Sequence, residues 1–366
     1  MRSTILSLVV LLGVPVHLAS AAAAQDTWVA STVAGTGEAG TSGDGGPATA
    51  ARLNNPFGVV RGPDGALFFC EYDGNVVRRI APDGTISTVA GSGRRGPGGD
   101  GGPALEAEFD QPHEIRFDPD GNLFIADMRN HRIRRVDAAT RRVSTVAGTG
   151  EPGFSGDGGP ASLARLRQPH SIQFGPRGDL FICDIGNHRI RRVDRATGTI
   201  GTFAGTGERD PTPDGAPFAK ATLNGPRSLD FDRSGNLWLA LREGNQVFRL
   251  DLKTGTIHHA AGTGAKGFTG NGGPARLATL SGPKGLAVAP NGDVYLADTE
   301  SHSIRRLNAL SGALELIAGT GEKGDGPDGN ALGCRLARPH GVFVDTDGSI
   351  HVGDSENHRV RVLRQK

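Results

Sequence analysis

Asp127-Met-Arg-Asn-His-Arg-Ile-Arg-Arg-Val136 is the stretch that decides the fold, because the chain repeats it. It returns 57 residues later as Asp184-Ile-Gly-Asn-His-Arg-Ile-Arg-Arg-Val193, and near the end as Asp354-Ser-Glu-Asn-His-Arg-Val-Arg-Val-Leu363. Each copy closes on alternating apolar and charged residues, which is typical of a β-strand with one buried face. A unit repeated at this length indicates an array of similar supersecondary structures packed side by side.

Two further markers repeat in phase with this stretch. A glycine that follows a strand-like run and an alanine recurs at Gly35, Gly91, Gly148, Gly205, Gly262 and Gly319. A proline that precedes another strand-like run recurs at Pro56, Pro112, Pro169, Pro226, Pro283 and Pro339. Neighbours in both series lie 56 or 57 residues apart, so six copies fill the chain from about residue 27 onwards.

Each copy is predicted to contain four short strands separated by turns. In the second copy the strands fall at residues 114–118, 122–126, 131–137 and 142–147. Four antiparallel strands per repeat make a propeller blade, and neighbouring blades bury each other's faces. The sequence therefore predicts an all-β fold over residues 25–366, a six-bladed β-propeller of four-stranded antiparallel blades.

The two ends of the chain predict how the ring closes. The sixth copy has only three strands, at residues 341–345, 349–353 and 358–363, while an extra strand occurs at residues 28–33. Because an open ring would expose unpaired sheet edges, we expect the N-terminal strand to complete the last blade.

The first 24 residues resemble a signal peptide rather than a part of the propeller. Arg2 precedes an apolar run at residues 5–16, and Ala22-Ala23-Ala24 is a small-residue cleavage pattern. We therefore expect export, with a secreted or periplasmic destination. No later apolar run reaches about 18 residues, so we expect no membrane span.

Charge and composition exclude some classes of partner. The formal net charge is +1, and it becomes 0 without the first 24 residues, while aromatic residues make up only 5% of the chain. A neutral chain with few aromatic residues is a poor candidate for binding nucleic acid. We expect a monomer that binds a protein or a small anionic or sugar-like ligand. Of the three cysteines, Cys70 and Cys183 share one repeat position and are interpreted as small buried apolar residues.

The Asp-x-x-Asn-His-Arg phrases, followed by Ile after Asp127 and Asp184 and by Val after Asp354, resemble the NHL repeat family, which forms six-bladed propellers. The fourth copy departs from the pattern, since Leu241 replaces the repeated acid. The resemblance implies the propeller fold but leaves function open, because such propellers serve as binding platforms, RNA readers or a metal-dependent lyase.

Residues shared by all copies are interpreted as structural. We expect the repeated acids and asparagines to accept or donate hydrogen bonds in turns, and the repeated histidines to pack. The arginine pairs, such as Arg134-Arg135, are predicted to be solvated strand faces or partners of the repeated acids. An alternative is that the acids point inward and hold a metal, as in lactonase propellers. The acids in question are Glu71, Asp127, Asp184, Asp298 and Asp354.

A position that varies between copies is the better candidate for function. The residue after each blade-starting proline is Phe57, His113, His170, Arg227, Lys284 or His340. These six side chains are predicted to ring the mouth of the central channel.

Two interpretations of this ring remain open, one without chemistry and one with it. In the first, Phe57, Arg227 and Lys284 bind an anionic or sugar-like ligand or a protein loop, since arginine grips a carboxylate through two hydrogen bonds. The second follows from a distant similarity to the peptidyl-hydroxyglycine amidating lyase, whose Pro-His histidines hold a metal. That resemblance implies His113, His170 and His340 as ligands of zinc in a metal-dependent lyase or hydrolase.

Overall fold

A computed structural model describes residues 27–366, which form six antiparallel sheets arranged as the blades of a propeller. The predicted fold class is therefore confirmed. The predicted signal peptide, residues 1–24, lies outside the described residues. Within residues 27–366 no helix is long and apolar enough to cross a membrane.

The strands follow the order predicted from the repeat, with bounds that differ by one or two residues. Blades 1 to 3 are Pro56–Arg61, Leu67–Glu71, Val76–Ile80 and Ile86–Ala90; Pro112–Phe117, Leu123–Asp127, Arg132–Val136 and Val143–Ala147; and Pro169–Phe174, Leu180–Asp184, Arg189–Val193 and Ile200–Ala204. Blades 4 to 6 are Pro226–Phe231, Leu237–Leu241, Gln246–Asp251 and Thr256–Ala261; Pro283–Val288, Val294–Asp298, Ser303–Leu307 and Ala313–Ala318; and Val342–Val344, Ile350–Asp354, Arg359–Gln365 and Trp28–Ala34. Two-residue strands at Gly273–Pro274 and Gly329–Asn330 extend blades 5 and 6.

The only helical elements in the described chain are single 3₁₀ turns. One lies in each connection between blades: Ala48–Ala50, Ala104–Glu106, Ala161–Leu163, Phe218–Lys220, Ala275–Leu277 and Ala331–Gly333. Three more follow the second strand of blades 3, 5 and 6: Ile185–Asn187, Thr299–Ser301 and Ser355–Asn357.

The ring closes as predicted. The N-terminal strand Trp28–Ala34 pairs with the third strand of the last blade, Arg359–Gln365, and so becomes the fourth strand of that blade. The first strands of successive blades contact each other around the ring, and those of blades 6 and 1 complete the circle. Both ends of the described chain are therefore held in one sheet.

The apolar core lies between the blades rather than in one central mass. Six clusters of buried side chains each combine residues of two neighbouring blades, as Cys70 of blade 1 packs in one cluster with Ile115 of blade 2. All three cysteines are buried and free, as predicted for Cys70 and Cys183. Because each blade covers its neighbour, the sheets remove apolar surface from water on both faces.

Five blades bury an ion pair in their interior. The acid that ends the second strand pairs with the arginine at the third position of the third strand, and both side chains are shielded from solvent. The pairs are Glu71 with Arg78 at 2.5 Å, Asp127 with Arg134 at 3.3 Å, Asp184 with Arg191 at 3.5 Å, Asp298 with Arg305 at 3.3 Å and Asp354 with Arg361 at 2.7 Å.

The same groups tie the Gly-rich loop to the blade. In blade 3 the guanidinium of Arg191 also contacts Asp157 of the loop at 2.5 Å, and Asp184 accepts a hydrogen bond from the backbone N–H of Arg167 at 2.7 Å. The repeated acids thus accept backbone N–H groups, as predicted, but from the inter-blade loop 17 residues earlier in the chain and not from the turn that follows them. The alternative in which they hold a metal in the channel is not supported, because arginine and backbone groups already bind the carboxylates.

The two arginines of a pair follow the two alternatives predicted from the sequence, a partner of the repeated acid and a solvated strand face. Arg134 is fully buried as the partner of the acid, whereas the side chain of Arg135 is one-third exposed and pairs with Asp137. Blade 4 has neither half of the buried pair. Leu241 and Phe248 occupy those positions and are both buried, so apolar packing replaces the ion pair there.

A ring of six hydrogen bonds links each blade to the next. A side chain in the left-handed backbone region after the second strand receives the backbone N–H of the residue before the next blade's proline. The contacts are Asn75 with Gln111, His131 with Gln168, His188 with Gly225, Asn245 with Gly282, His302 with Arg338 and His358 with Asn55, at 2.9–3.3 Å. The repeated histidines are therefore structural, as predicted, and act mainly as acceptors.

Replacing Arg191 with leucine should lower the free energy of unfolding by about 3–5 kcal/mol, because it leaves the Asp184 carboxylate buried without its cation. The double variant Asp184→Leu/Arg191→Phe copies the natural pair of blade 4 and should recover most of the loss. Urea unfolding of the three proteins would measure both values. A double variant as unstable as the single one would contradict this account.

Acid should weaken the inter-blade ring. Burial lowers the pKa of His131, His302 and His358, so the folded state favours the neutral imidazole that can accept a hydrogen bond. The free energy of unfolding should therefore fall as the pH drops below about 6.5, the ordinary histidine value.

Asparagine, which blades 1 and 4 already use, provides the matched control. The triple variant His131→Asn/His302→Asn/His358→Asn should match the parent protein at pH 7 and lose less stability at pH 5. Urea unfolding at the two pH values would measure the difference, in which the titration of all other groups cancels. Equal losses in the two proteins would show that these histidines do not carry the acid sensitivity.

Candidate functional site

The six residues after the blade-starting prolines line one cavity of 420 Å³ at the channel mouth. Five come from the start of an inner strand, His340 lies two residues before the inner strand Val342–Val344, and each is almost entirely buried. They are Phe57, His113, His170, Arg227, Lys284 and His340. The structure thus brings together all six side chains singled out from the sequence, while their role in binding stays a prediction.

Local backbone geometry explains why these side chains reach the channel. A residue with positive φ directly precedes each proline, for example Gln168 at 53° and Gly225 at 73°. It turns the chain from the inter-blade loop into the inner strand. In five blades the pairing register then shifts directly after the proline, and such a bulge re-aims the side chain that follows.

One side of the cavity is an aromatic stack. The ring of Phe57 lies between Tyr72 and His340, with centroid distances of 4.4 and 3.9 Å and nearly parallel planes. His113 meets the edge of Phe57 at 4.8 Å. This wall offers apolar contact and has rigid rings that lose little freedom on binding.

The opposite side combines cations with imidazoles. An Nη atom of Arg227 lies 2.6 Å from Nε2 of His113, and Nζ of Lys284 lies 3.3 Å from Nε2 of His340. Nδ1 of His170 lies 2.7 Å from the carbonyl oxygen of Gln168. Nδ1 of His113 and Nε of Arg227 are buried and have no hydrogen-bond partner among the described residues.

Burial governs the charge of these groups. Burial, assisted by the nearby Arg242, lowers the pKa of Arg227 to about 9, and burial with the nearby Arg227 lowers that of Lys284 to about 7. Burial and the neighbouring cations hold the pKa values of His113, His170 and His340 well below the ordinary value. The imidazoles are therefore neutral at pH 7, while Arg227 keeps its positive charge.

The same three histidines do not fit a metal centre as they lie here. The Nε2 atoms of His113 and His340 face the cations of Arg227 and Lys284, which would repel a metal ion at that place. Across residues 27–366 no group of three histidine, cysteine or acidic side chains is arranged to hold a metal ion. The zinc-ligand assignment stays a prediction from the sequence, and no observation favours the metal-dependent lyase or hydrolase.

Several cavity residues were missed in the sequence. They occupy the two positions after the acid that ends each second strand, and they include Met128, Arg129, Ile185, Arg242, Glu243 and Glu356. These positions also vary between blades, so the rule that found the residues after the prolines would have found them. Arg209 lies in a loop with no repeated counterpart, and the sequence contains no comparable signal for it.

Sequence comparison places this geometry among known propellers. A profile of the NHL repeat matches residues 109–136, 280–307 and 336–363, which are the first three strands of blades 2, 5 and 6. The chain is 30% identical over 271 residues to Protein SUPPRESSOR OF QUENCHING 1 of Arabidopsis thaliana, covering 70% of this chain and 25% of that protein. It is 26% identical over 296 residues to human NHL repeat-containing protein 2, covering 73% and 40%. The chain thus spans less than half the length of either relative.

A solved structure shows the same architecture. An auxiliary nutrient binding protein from Bacteroides ovatus superposes with a TM-score of 0.68 at 17% identity, over 93% of this chain and 78% of that one. At this identity the likeness concerns the fold alone. Together with six repeats in phase and six four-stranded blades, these matches establish that the chain is a six-bladed β-propeller of the NHL-repeat family.

Proposed function

We propose that this propeller is a binding scaffold whose channel mouth holds a small anionic ligand outside the cytoplasm. The observation that carries the proposal is the state of Arg227. Its side chain is 5% exposed and lines the cavity, yet no carboxylate of the described residues lies within 4 Å of it.

A buried cation without an anion is costly, and proteins seldom retain one without a use. The contrast within this chain is direct, because five other buried arginines each contact a carboxylate in the blade interior. Arg227 instead contacts a neutral imidazole, and its Nε lacks a partner, as does that of Arg78, Arg134 and Arg191. A ligand carboxylate would supply the missing charge and the missing acceptor together.

The rest of the cavity supports a small organic anion. The stack of Phe57, Tyr72 and His340 gives apolar contact opposite the cation. Lys284, which Glu300 already contacts, adds a donor beside His340 for an uncharged polar group of the ligand. A volume of 420 Å³ lies within the range of small-molecule sites, so a carboxylic acid or sugar acid would fill it better than a protein loop.

Replacing Arg227 with methionine should abolish binding without weakening the fold. Calorimetry and thermal shift at low ionic strength, with acetate, lactate and glucuronate as probes, should show at least tenfold weaker binding than the parent protein. The free energy of unfolding without ligand should stay equal or rise, because the change removes a buried uncompensated charge. A purely structural role for Arg227 would produce the opposite result, a less stable protein.

Arg364→Met is the matched control. It also removes one positive charge, but from an exposed position outside the cavity, and it should leave binding unchanged. Equal losses in both variants would reduce the effect to net charge, and absence of binding to every probe in the parent protein would overturn the proposal.

A further inference from the structure

The cations that line the cavity divide into two groups according to whether they contact an acid. The neutralised group lies on blades 5 and 6. Here Lys284, Glu300, Arg338, Glu356 and Lys323 form an alternating chain with contacts of 2.9, 2.7, 2.9 and 2.6 Å. Burial alone would raise the pKa of Glu300, but hydrogen bonds from Arg338 and Lys284 lower that pKa to about 2. Glu300 therefore stays negatively charged. Arg242 likewise contacts the adjacent Glu243 at 3.0 Å.

The second group retains its charge. Arg129, Arg209 and Arg227 have no carboxylate within 4 Å in the described part of the chain, and each donates to an uncharged acceptor. Arg129 donates to the side-chain oxygen of Gln111 at 3.0 Å, and Arg209 to Nε2 of His188 at 2.7 Å. The cavity therefore carries three guanidinium charges that no acid offsets.

These three guanidinium groups lie at different depths. Arg227 is buried at the cavity floor, whereas Arg129 and Arg209 are exposed at the rim. A single carboxylate would offset only one of the three charges. Two anionic groups joined by a short spacer could serve the buried floor and the exposed rim together.

We propose that the ligand of this cavity is a small dicarboxylic acid, with one carboxylate on Arg227 and the other on the rim arginines Arg129 and Arg209. This inference rests on the proposed anion-binding function and specifies its ligand class. Guanidinium groups favour carboxylates because their paired N–H donors match two carboxylate oxygens. The neutralised wall of blades 5 and 6 directs both carboxylates toward blades 2 to 4.

The test compares succinate and glutarate with butyrate and valerate, which have the same chain lengths and one carboxylate fewer. Calorimetry on the whole chain at low and at physiological salt should show that each dicarboxylate binds at least tenfold more tightly than its partner. Arg129→Gln and Arg209→Gln should each move this ratio toward one, and Arg227→Met should abolish binding of all four acids. Arg364→Gln, which removes a charge outside the cavity, should leave the ratio unchanged.

The outcomes separate the two proposals. A ratio near one, with binding that still depends on Arg227, would overturn the dicarboxylate inference and leave the anion site intact. A high ratio that falls equally in Arg364→Gln would also overturn it, because general charge attraction would then explain the preference. Failure of all four acids to bind the parent protein would overturn the anion site itself.

Discussion

The buried contact between an acid and an arginine, repeated in five blades, is the interaction on which the rest of the structure depends. In blade 3 the Asp184 carboxylate joins Arg191 on one side and the backbone N–H of Arg167 on the other. Arg191 in turn holds Asp157 of the Gly-rich loop. One charged centre therefore connects the blade, the inter-blade loop and the approach to the inner strand. The inner strand begins two residues after Arg167, so this centre also helps to place His170 at the channel mouth.

Repetition and variation separate structure from function in this chain. The acids, asparagines and histidines that recur make the same contacts in blade after blade, and the inter-blade ring uses either imidazole or amide at one position. The cavity is instead built from the positions that the contacts leave free to vary: the residue before each proline, the residue after it, and the pair that follows the repeated acid. Every blade thus presents one side chain at a common point, and the six positions after the prolines hold four residue types.

This separation explains how much could be predicted from the sequence. The regular spacing of six prolines and six glycines was sufficient to predict the blades, the closure by residues 28–33 and the six residues at the channel mouth. This is because strand order in a propeller follows chain order. The burial of Arg134 beside the one-third exposed Arg135 could not be predicted from the pattern alone, since alternation does not tell which of two faces is covered. The contact of Arg227 with His113 joins residues 114 positions apart and depends on distances across the channel, which no local pattern contains.

The departure of blade 4 from the repeat concerns both the structural pattern and the cavity. In blades 1, 2, 3 and 5 the residue that pairs with the first-strand proline is an acid, as Asp184 is opposite Pro169. Blade 6 has the acid Asp354 at the same repeat position. In blade 4 the residue opposite Pro226 is Leu241, directly beside Arg227 in the pairing. In the other five blades the acid at this position has its own buried arginine partner, and blade 4 has neither of the two. Leu241 and Phe248 pack there instead, so blade 4 replaces the ion pair with apolar contact. The blade that departs from the structural pattern is also the one that supplies the most deeply buried arginine of the cavity, and that arginine has no carboxylate beside it.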